Sequence, residues 1–301
     1  MKLVNLMLVI AVMRTCLGAD PRPASSPPVS EKTVGGKTVS EWIAMTSDPD
    51  AELRSDAAWT LGQIGPTAKG AVPVLTGLLA DKNSKVRECA AYALGRIGPD
   101  AKTAVPALIE SLKDKEHAVR LNGILSLGFI GPAAIKALPS VVNLLGDKDW
   151  KDPVSQIHVT RTIGQIGIAD PDIAVPILLE LLIGQQVRNT AIIALGDVGT
   201  GAKSSIPALA KCLKDEDLQN RFNAAKSIRK ISPETTADVV PVLAKLLEHE
   251  TFWVRRDAAI DLGDIGPEAK SVVPALTKLL DDPSVKNEAA NALKKIAGEE
   301  K

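Results

Sequence analysis

The sequence predicts an all-α chain, an α-α superhelix (solenoid) of about eight two-helix repeats. Three observations carry that prediction. A ruler position, usually Leu followed by Gly, falls at Leu61, Leu94, Leu127, Ile163, Leu195, Ile228, Leu262 and Leu293, in steps of 33, 33, 36, 32, 33, 34 and 31 residues. A proline keeps the same beat at Pro73, Pro106, Pro139, Pro176, Pro207, Pro241 and Pro274. The segment Lys69–Pro99 spells the unit in full: Ala-Val-Pro, a short apolar stretch, a polar turn ending in Val-Arg, an alanine-rich stretch, and a close on Leu-Gly-Arg-Ile-Gly-Pro. One helical pair cannot bury its own apolar face, so such units stack and share a continuous core.

Residues 1–19 read as a secretory signal. Lys2 supplies the charge, Leu3–Met13 is an apolar run too short to span a bilayer, and Ala19 is a small cleavage residue. Arg14 sits late for that pattern, Leu17 is large, and Cys16 raises a lipoprotein alternative; a disordered N-terminus is the plainer one. Export to the periplasm, envelope or exterior is therefore the expectation, with no membrane span after cleavage. Residues 20–37 form a Pro/Ser/Gly-rich linker. Its Gly36-Lys37-Thr38 lacks the first glycine of a phosphate-binding loop, where Glu31 stands, and no strand precedes it.

The repeats cover residues 38–66, 67–99, 100–132, 133–167, 168–199, 200–233, 234–267 and 268–298. In each, the proline belongs in the first turn of the first helix. Asp50, Asn83, Asp217 and Thr251 are capping types at the start of the second helix. Gly65, Gly98, Gly131, Gly167, Gly199 and Gly266 close it, where a left-handed cap is expected. Pro66, Pro99, Pro132 and Pro267 stop continuation. Repeat four carries a turn about three residues longer, Asp147–Pro153; repeat five has a short turn; repeat six has Ile228-Arg229 where Leu-Gly is usual.

The Asp-x-x-x-x-Val-Arg turn followed by Ala-Ala-x-x-Leu-Gly-x-Ile-Gly resembles HEAT repeats, in the short variety named after phycobilisome-lyase subunits. The resemblance covers about residues 38–298. It implies a solenoid whose second helices line the concave face. It also implies a class that spans scaffolds, adaptors and a few enzymes.

Two sets of positions stand out. Seven residues before the ruler lies a basic column that includes Arg54, Arg87, Arg120, Arg188, Arg221 and Arg255, with Gln156 in repeat four. Six residues earlier come Asp48, Asp81, Asp114 and Asp215. This is either an anion-binding ridge or an Asp–Arg ladder between neighbouring repeats. Positions six before, two before and two after the ruler share one face of the second helix. There Trp59, Tyr92, Leu121, Leu125, Phe129 and Ile157 could form an apolar patch edged by Glu88, Arg96 and Arg161, or be half-buried between helices. Trp150, Phe252 and Trp253 fall in inter-helix turns, as an edge cluster or as turn packing.

The chemistry-bearing residue types are sparse. With 36 basic and 36 acidic residues the net charge is zero, which argues against nucleic acid. His117, His158 and His249 lie in different repeats, and only His249-Glu250 resembles the His-Glu pairs of the HEAT-type hydroxylases, so no metal is expected. Cys89 and Cys212 lie four repeats apart, too far for a disulfide, and read as core. No catalytic grouping and no cofactor is expected. The expectation is a non-catalytic scaffold or adaptor that binds another protein on its concave face. The alternative is an accessory subunit of an enzyme, like the phycobilin lyases, in which Tyr92, Arg96 and Phe129 would meet a small apolar ligand.

Overall fold

The computed structural model describes residues 34–233 and 239–298. The signal and lipoprotein readings, Cys16 included, fall outside the described residues. The chain divides into two units, Met1–Thr38 and Val39–Lys301. In the first, Val34 and Lys37 exchange backbone hydrogen bonds across Gly35-Gly36, both at positive φ.

The second unit holds sixteen α-helices among the described residues, paired into eight repeats. In chain order they are α1 Val39–Met45, α2 Ala51–Ile64, α3 Val72–Leu78, α4 Ser84–Ile97, α5 Val105–Ser111, α6 His117–Ile130, α7 Leu138–Asn143 and α8 Pro153–Gly167. They continue with α9 Pro171–Leu181, α10 Arg188–Val198, α11 Ile206–Cys212, α12 Leu218–Ile231, α13 Val240–Leu246, α14 Phe252–Ile265, α15 Val273–Lys278 and α16 Lys286–Ala297. Odd helices are the short first members. The proline is second in most of them, where its missing N–H has no intrahelical acceptor anyway. Pro176 departs from this: α9 starts early, at Pro171, and Pro176 lies in its interior.

The closing glycines also differ from expectation. Gly65, Gly98, Gly131, Gly199 and Gly266 have φ of 69 to 76° but ψ near −140°, so they are not left-handed caps. That region excludes Asn as well as β-carbon-bearing residues generally, so the requirement for Gly is stricter. A 3₁₀ turn such as Gly65–Ala71 follows and leads into the next first helix, so the Gly-Pro pair starts a new turn as well as ending the old helix. Gly167 has no positive φ. A β-carbon there would lie 2.2 Å from that of Ala174, so it is glycine for closeness. Asp50, Asn83 and Asp217 cap their helices through the side chain, whereas Thr251 does not.

One continuous core runs through the stack. The ruler residues from Leu61 to Leu262 are buried, and Leu293, in the last helix, is only partly so. The glycine after the ruler is what lets second helices approach. A β-carbon on Gly62, Gly95, Gly164, Gly196 or Gly263 would fall within 2.4 to 3.0 Å of Ala93, Ser126, Ala194, Ser227 or Ala292 of the next second helix. Ser126 and Ser227 use this closeness to donate to the Ala91 and Ile192 carbonyls of the preceding helix. At repeats six and seven the pair is replaced on both sides. Arg229 stands for the glycine and Asp261 for the small residue, and the two are bonded at 3.1 Å. There α12 and α14 lack the close backbone approach of their counterparts.

The basic column bonds between repeats, but not everywhere. Arg54 donates through Nε and Nη2 to Asp81 at 2.9 and 3.0 Å, and Arg87 likewise to Asp114 at 2.6 and 2.9 Å. Arg188 reaches Asp215 and Arg255 reaches Asp282. In most rungs Nη1 also donates to two backbone carbonyls of the arginine's own turn, as in Arg54 to Asp48 and Pro49. The Asp48 carboxylate, in the first repeat, accepts from the Asp50 N–H and, among the described residues, meets no arginine of a preceding repeat. Arg120 and Arg221 depart from the ladder, each holding its backbone carbonyls but no carboxylate. At Arg120 the longer turn of repeat four intervenes. For Arg221 the matching position is His249, whose Nδ1 accepts from the Thr251 N–H as the aspartates do in their own turns.

Candidate partner-binding face

The face of α2, α4 and α6 that carries the positions flanking the ruler is where large apolar side chains meet solvent. Each of these helices turns its ruler residue inward, and α2 and α4 their central alanines too, so residues two before and two after the ruler point away from the core. Trp59 is 47% exposed and Phe129 is 45% exposed. Tyr92 is half-buried because Trp59 stacks on it, with ring centroids 4.5 Å apart and planes 17° from parallel. Gly62 makes room for this: a β-carbon there would lie 3.0 Å from two Tyr92 ring atoms. Gln63 donates to the Tyr92 hydroxyl at 2.8 Å and fixes the far edge of the ring. Arg96 and Arg161 are exposed along the same face.

The rest of the expected patch is less open. Leu121, Leu125 and Ile157 are all half-buried, and Leu121 packs against the core. The accessible part is therefore aromatic and concentrated on repeats one to three. Farther along, the positions two after the ruler are polar and tie repeats to each other, Lys230 pairing with Asp197 at 2.9 Å and Lys295 with Asp264 at 3.1 Å, while Ile193 and Ile260, two before it, are exposed aliphatic side chains.

The edge aromatics separate. Trp150 is 1% exposed and belongs to its own enlarged turn, with His117 6.1 Å from its ring. Phe252 and Trp253 are exposed, at 49% and 41%. Cys89 and Cys212 are buried and unbridged, and burial pushes both thiols up. His158 is pushed down by burial and by Arg161, and its Nδ1 is buried without a hydrogen-bond partner. Among the described residues, no three His, Cys, Asp or Glu side chains gather as a metal site would require. The apolar run His117–Gly146 is long enough to cross a membrane by composition, but it is interrupted by Gly131 and more than half buried in the stack.

No curated protein matches the chain at a significant level. Among solved structures, an engineered protein is similar at 27% identity and a TM-score of 0.53, over 87% of this chain and 79% of that one. The complex of CpcE and CpcF of phycocyanin lyase from Nostoc sp. PCC7120 is similar at 24% identity and a TM-score of 0.41, over 92% of this chain and 99% of that one. The HEAT-repeat profile matches residues 39–128, 175–261 and 240–301, well over half of the sequence. With the repeat beat, the paired helices and the inter-repeat ladder already in view, that match is decisive: the chain belongs to the HEAT-repeat family.

Proposed function

We propose that this solenoid is a non-catalytic scaffold that holds another protein on the second-helix face of repeats one to three. One observation supports the reading above the others. In a chain with only 3% aromatic residues, three of them, Trp59, Tyr92 and Phe129, share this face, and two are about half exposed. Exposed aromatics held rigid by neighbours are what anchor protein interfaces, because little side-chain entropy is lost on docking. The Trp59–Tyr92 stack and its Gln63 bond are such a rigid element. Arg96 and Arg161 would form the polar rim. If the N-terminal stretch acts as a signal, the partner is met in the envelope or outside the cell.

The test is a pull-down from envelope extract with the wild type and with a Trp59→Ser/Phe129→Ser variant. Both substituted side chains are exposed, so the variant is expected to keep its helical circular dichroism and its melting temperature. A partner retained by the wild type and lost by the variant supports the face. A partner held equally by both refutes it and directs attention to Phe252 and Trp253. The alternative of an accessory subunit carrying a small apolar ligand is separated by adding bilin or haem: an absorbance shift that disappears in a Tyr92→Ala variant would favour it.

A further inference from the structure

The ladder opens at the third rung, and a cavity of about 440 Å³ lies there between repeats three and four. Arg120 keeps the pose of its column: Nη1 donates to the Asp114 and Lys115 carbonyls at 2.9 and 3.1 Å, as Arg54 and Arg87 do in their turns. In those two rungs Nε and Nη2 grip a carboxylate of the next repeat. Here Nε is buried without an acceptor, and Nη2 meets only His117 Nδ1, at 3.3 Å. The carboxylate that should answer is present. Asp147 begins the next turn as Asp114 begins its own, with its Oδ1 accepting from the N–H two residues on. The two are not bonded to each other, and both line the cavity, together with Trp150 of the longer turn. Asp147 has no cationic partner among the described residues.

A guanidinium and a carboxylate thus face one space without meeting. Lys113 and Lys115 line it too, as do Asp114, already held by Arg87, and Asp149. A simple anion would satisfy Arg120 but lie near Asp147 and Asp149; a simple cation would meet the reverse difficulty. A zwitterion answers both groups. Ile109, Leu112, Leu144 and Trp150 supply an apolar wall. We propose that the open third rung binds an α-amino acid with an apolar side chain. Its carboxylate takes the place of the rung carboxylate on Arg120, its ammonium faces Asp147, and its side chain lies against Trp150 and Leu144.

The test uses the full chain and leucine as the probe, read by calorimetric titration and by thermal shift. The comparison ligands are 4-methylpentanoate, which lacks the amine, and 3-methylbutylamine, which lacks the carboxylate. Leucine is expected to bind and to raise the melting temperature. Each half-ligand is expected to bind about tenfold or more weakly, the loss of one charge-assisted contact. Arg120→Gln and Asp147→Asn are each expected to weaken leucine by a similar factor, while Arg221→Gln leaves it unchanged. Arg120→Gln should fold, because Gln156 holds the same column position in repeat four and donates to the Trp150 carbonyl at 2.6 Å. The proposal is overturned if no apolar amino acid binds, if 4-methylpentanoate binds as well as leucine, or if leucine binds Arg120→Gln as well as it binds the wild type.

Discussion

The Arg229–Asp261 pair makes a prediction that separates an ion pair from the packing it replaced. Asp261 is only 6% exposed; its Oδ1 accepts from Arg229, and its Oδ2 is buried with no hydrogen bond. Lys226 Nζ stands 3.9 Å from that second oxygen. Arg229→Gly alone removes the bonded cation and leaves a buried carboxylate. Breaking a buried pair in this way costs about 3–5 kcal/mol. Lys226 remains nearby, so the lower end applies, about 3 kcal/mol. Asp261→Ala alone leaves Arg229, whose side chain is 19% exposed and can turn to water, so about 1–3 kcal/mol is expected. The double variant places Gly and Ala at the positions that touch as Gly263 and Ala292 do one repeat on; α12 and α14 then have to close up to pack, and replacing a buried pair by packed small groups is often neutral or stabilising. It should therefore be at least as stable as the wild type, which implies a coupling of several kcal/mol. Urea unfolding of the four proteins measures it, with the denaturant slopes compared, because a repeat array can lose cooperativity. If the two single effects simply add, within about 0.5 kcal/mol, the pair is not one interaction and the reasoning fails.

Three further outcomes follow from the same interfaces. Arg87→Ala should destabilise by about 1–3 kcal/mol, since it leaves the largely buried Asp114 unpaired. Arg120→Ala should cost clearly less, because no carboxylate is abandoned; equal losses in urea unfolding would contradict the open rung. Gly95→Ala should cost about 1–3 kcal/mol, because its β-carbon would lie 2.9 Å from the Ser126 Cα. By contrast, Gly77→Ala has open space in an exposed helical position and should gain about 0.5–1 kcal/mol; thermal melts of the two rank them. Acid stability should have two parts. The hydrogen bonds from Arg54 and Arg87 hold Asp81 and Asp114 below the ordinary carboxylate value of 3.8. Their stabilisation is full above 3.8 and is lost as pH falls through their lower folded values. Burial, opposed by Lys226 and Arg229, raises Asp261 instead, so its penalty is present at neutral pH and is relieved as pH falls toward 3.8. Asp261→Asn should remove that relief; an unchanged profile in urea titrations at stepped pH would refute the assignment.

Much of the fold was readable because a repeat states each fact several times. Leu61, Leu94 and Leu127 mark the same buried position, and Pro73, Pro106 and Pro139 the same first turn. What repetition could not convey was backbone detail and local exceptions. Gly65 announced a glycine-only residue, but whether ψ would be near +45° or −140° depends on the 3₁₀ turn after it. The 36-residue step announced a longer turn in repeat four, yet nothing local to Arg120 shows that its partner would be displaced. Leu125 and Ile157 follow the same face spacing as Trp59 and Phe129. Their half-burial depends on which neighbours the folded helices set beside them, which spacing alone does not encode. The Arg229–Asp261 exchange did leave a mark in the sequence: two columns break in consecutive repeats at the two positions that touch elsewhere in the stack.

These exceptions divide the array unevenly, and the division bears on where binding belongs. In a solenoid each repeat is held by its own contacts and those with its neighbours, so stability varies along the stack. Between repeats one and two, and between two and three, both devices are complete: the rungs Arg54–Asp81 and Arg87–Asp114, and the approaches of Gly62 to Ala93 and Gly95 to Ser126. Between three and four the rung is open, and between six and seven neither device is standard. The aromatic face spans the interval where every interface is closed. Trp59 on Tyr92 therefore rests on helices whose spacing is set twice over, once by a bidentate arginine at the turn and once by a glycine in the middle. A surface presented by such a block loses little freedom on docking, and the looser interfaces beyond Arg120 leave the remaining repeats free to adjust without disturbing it.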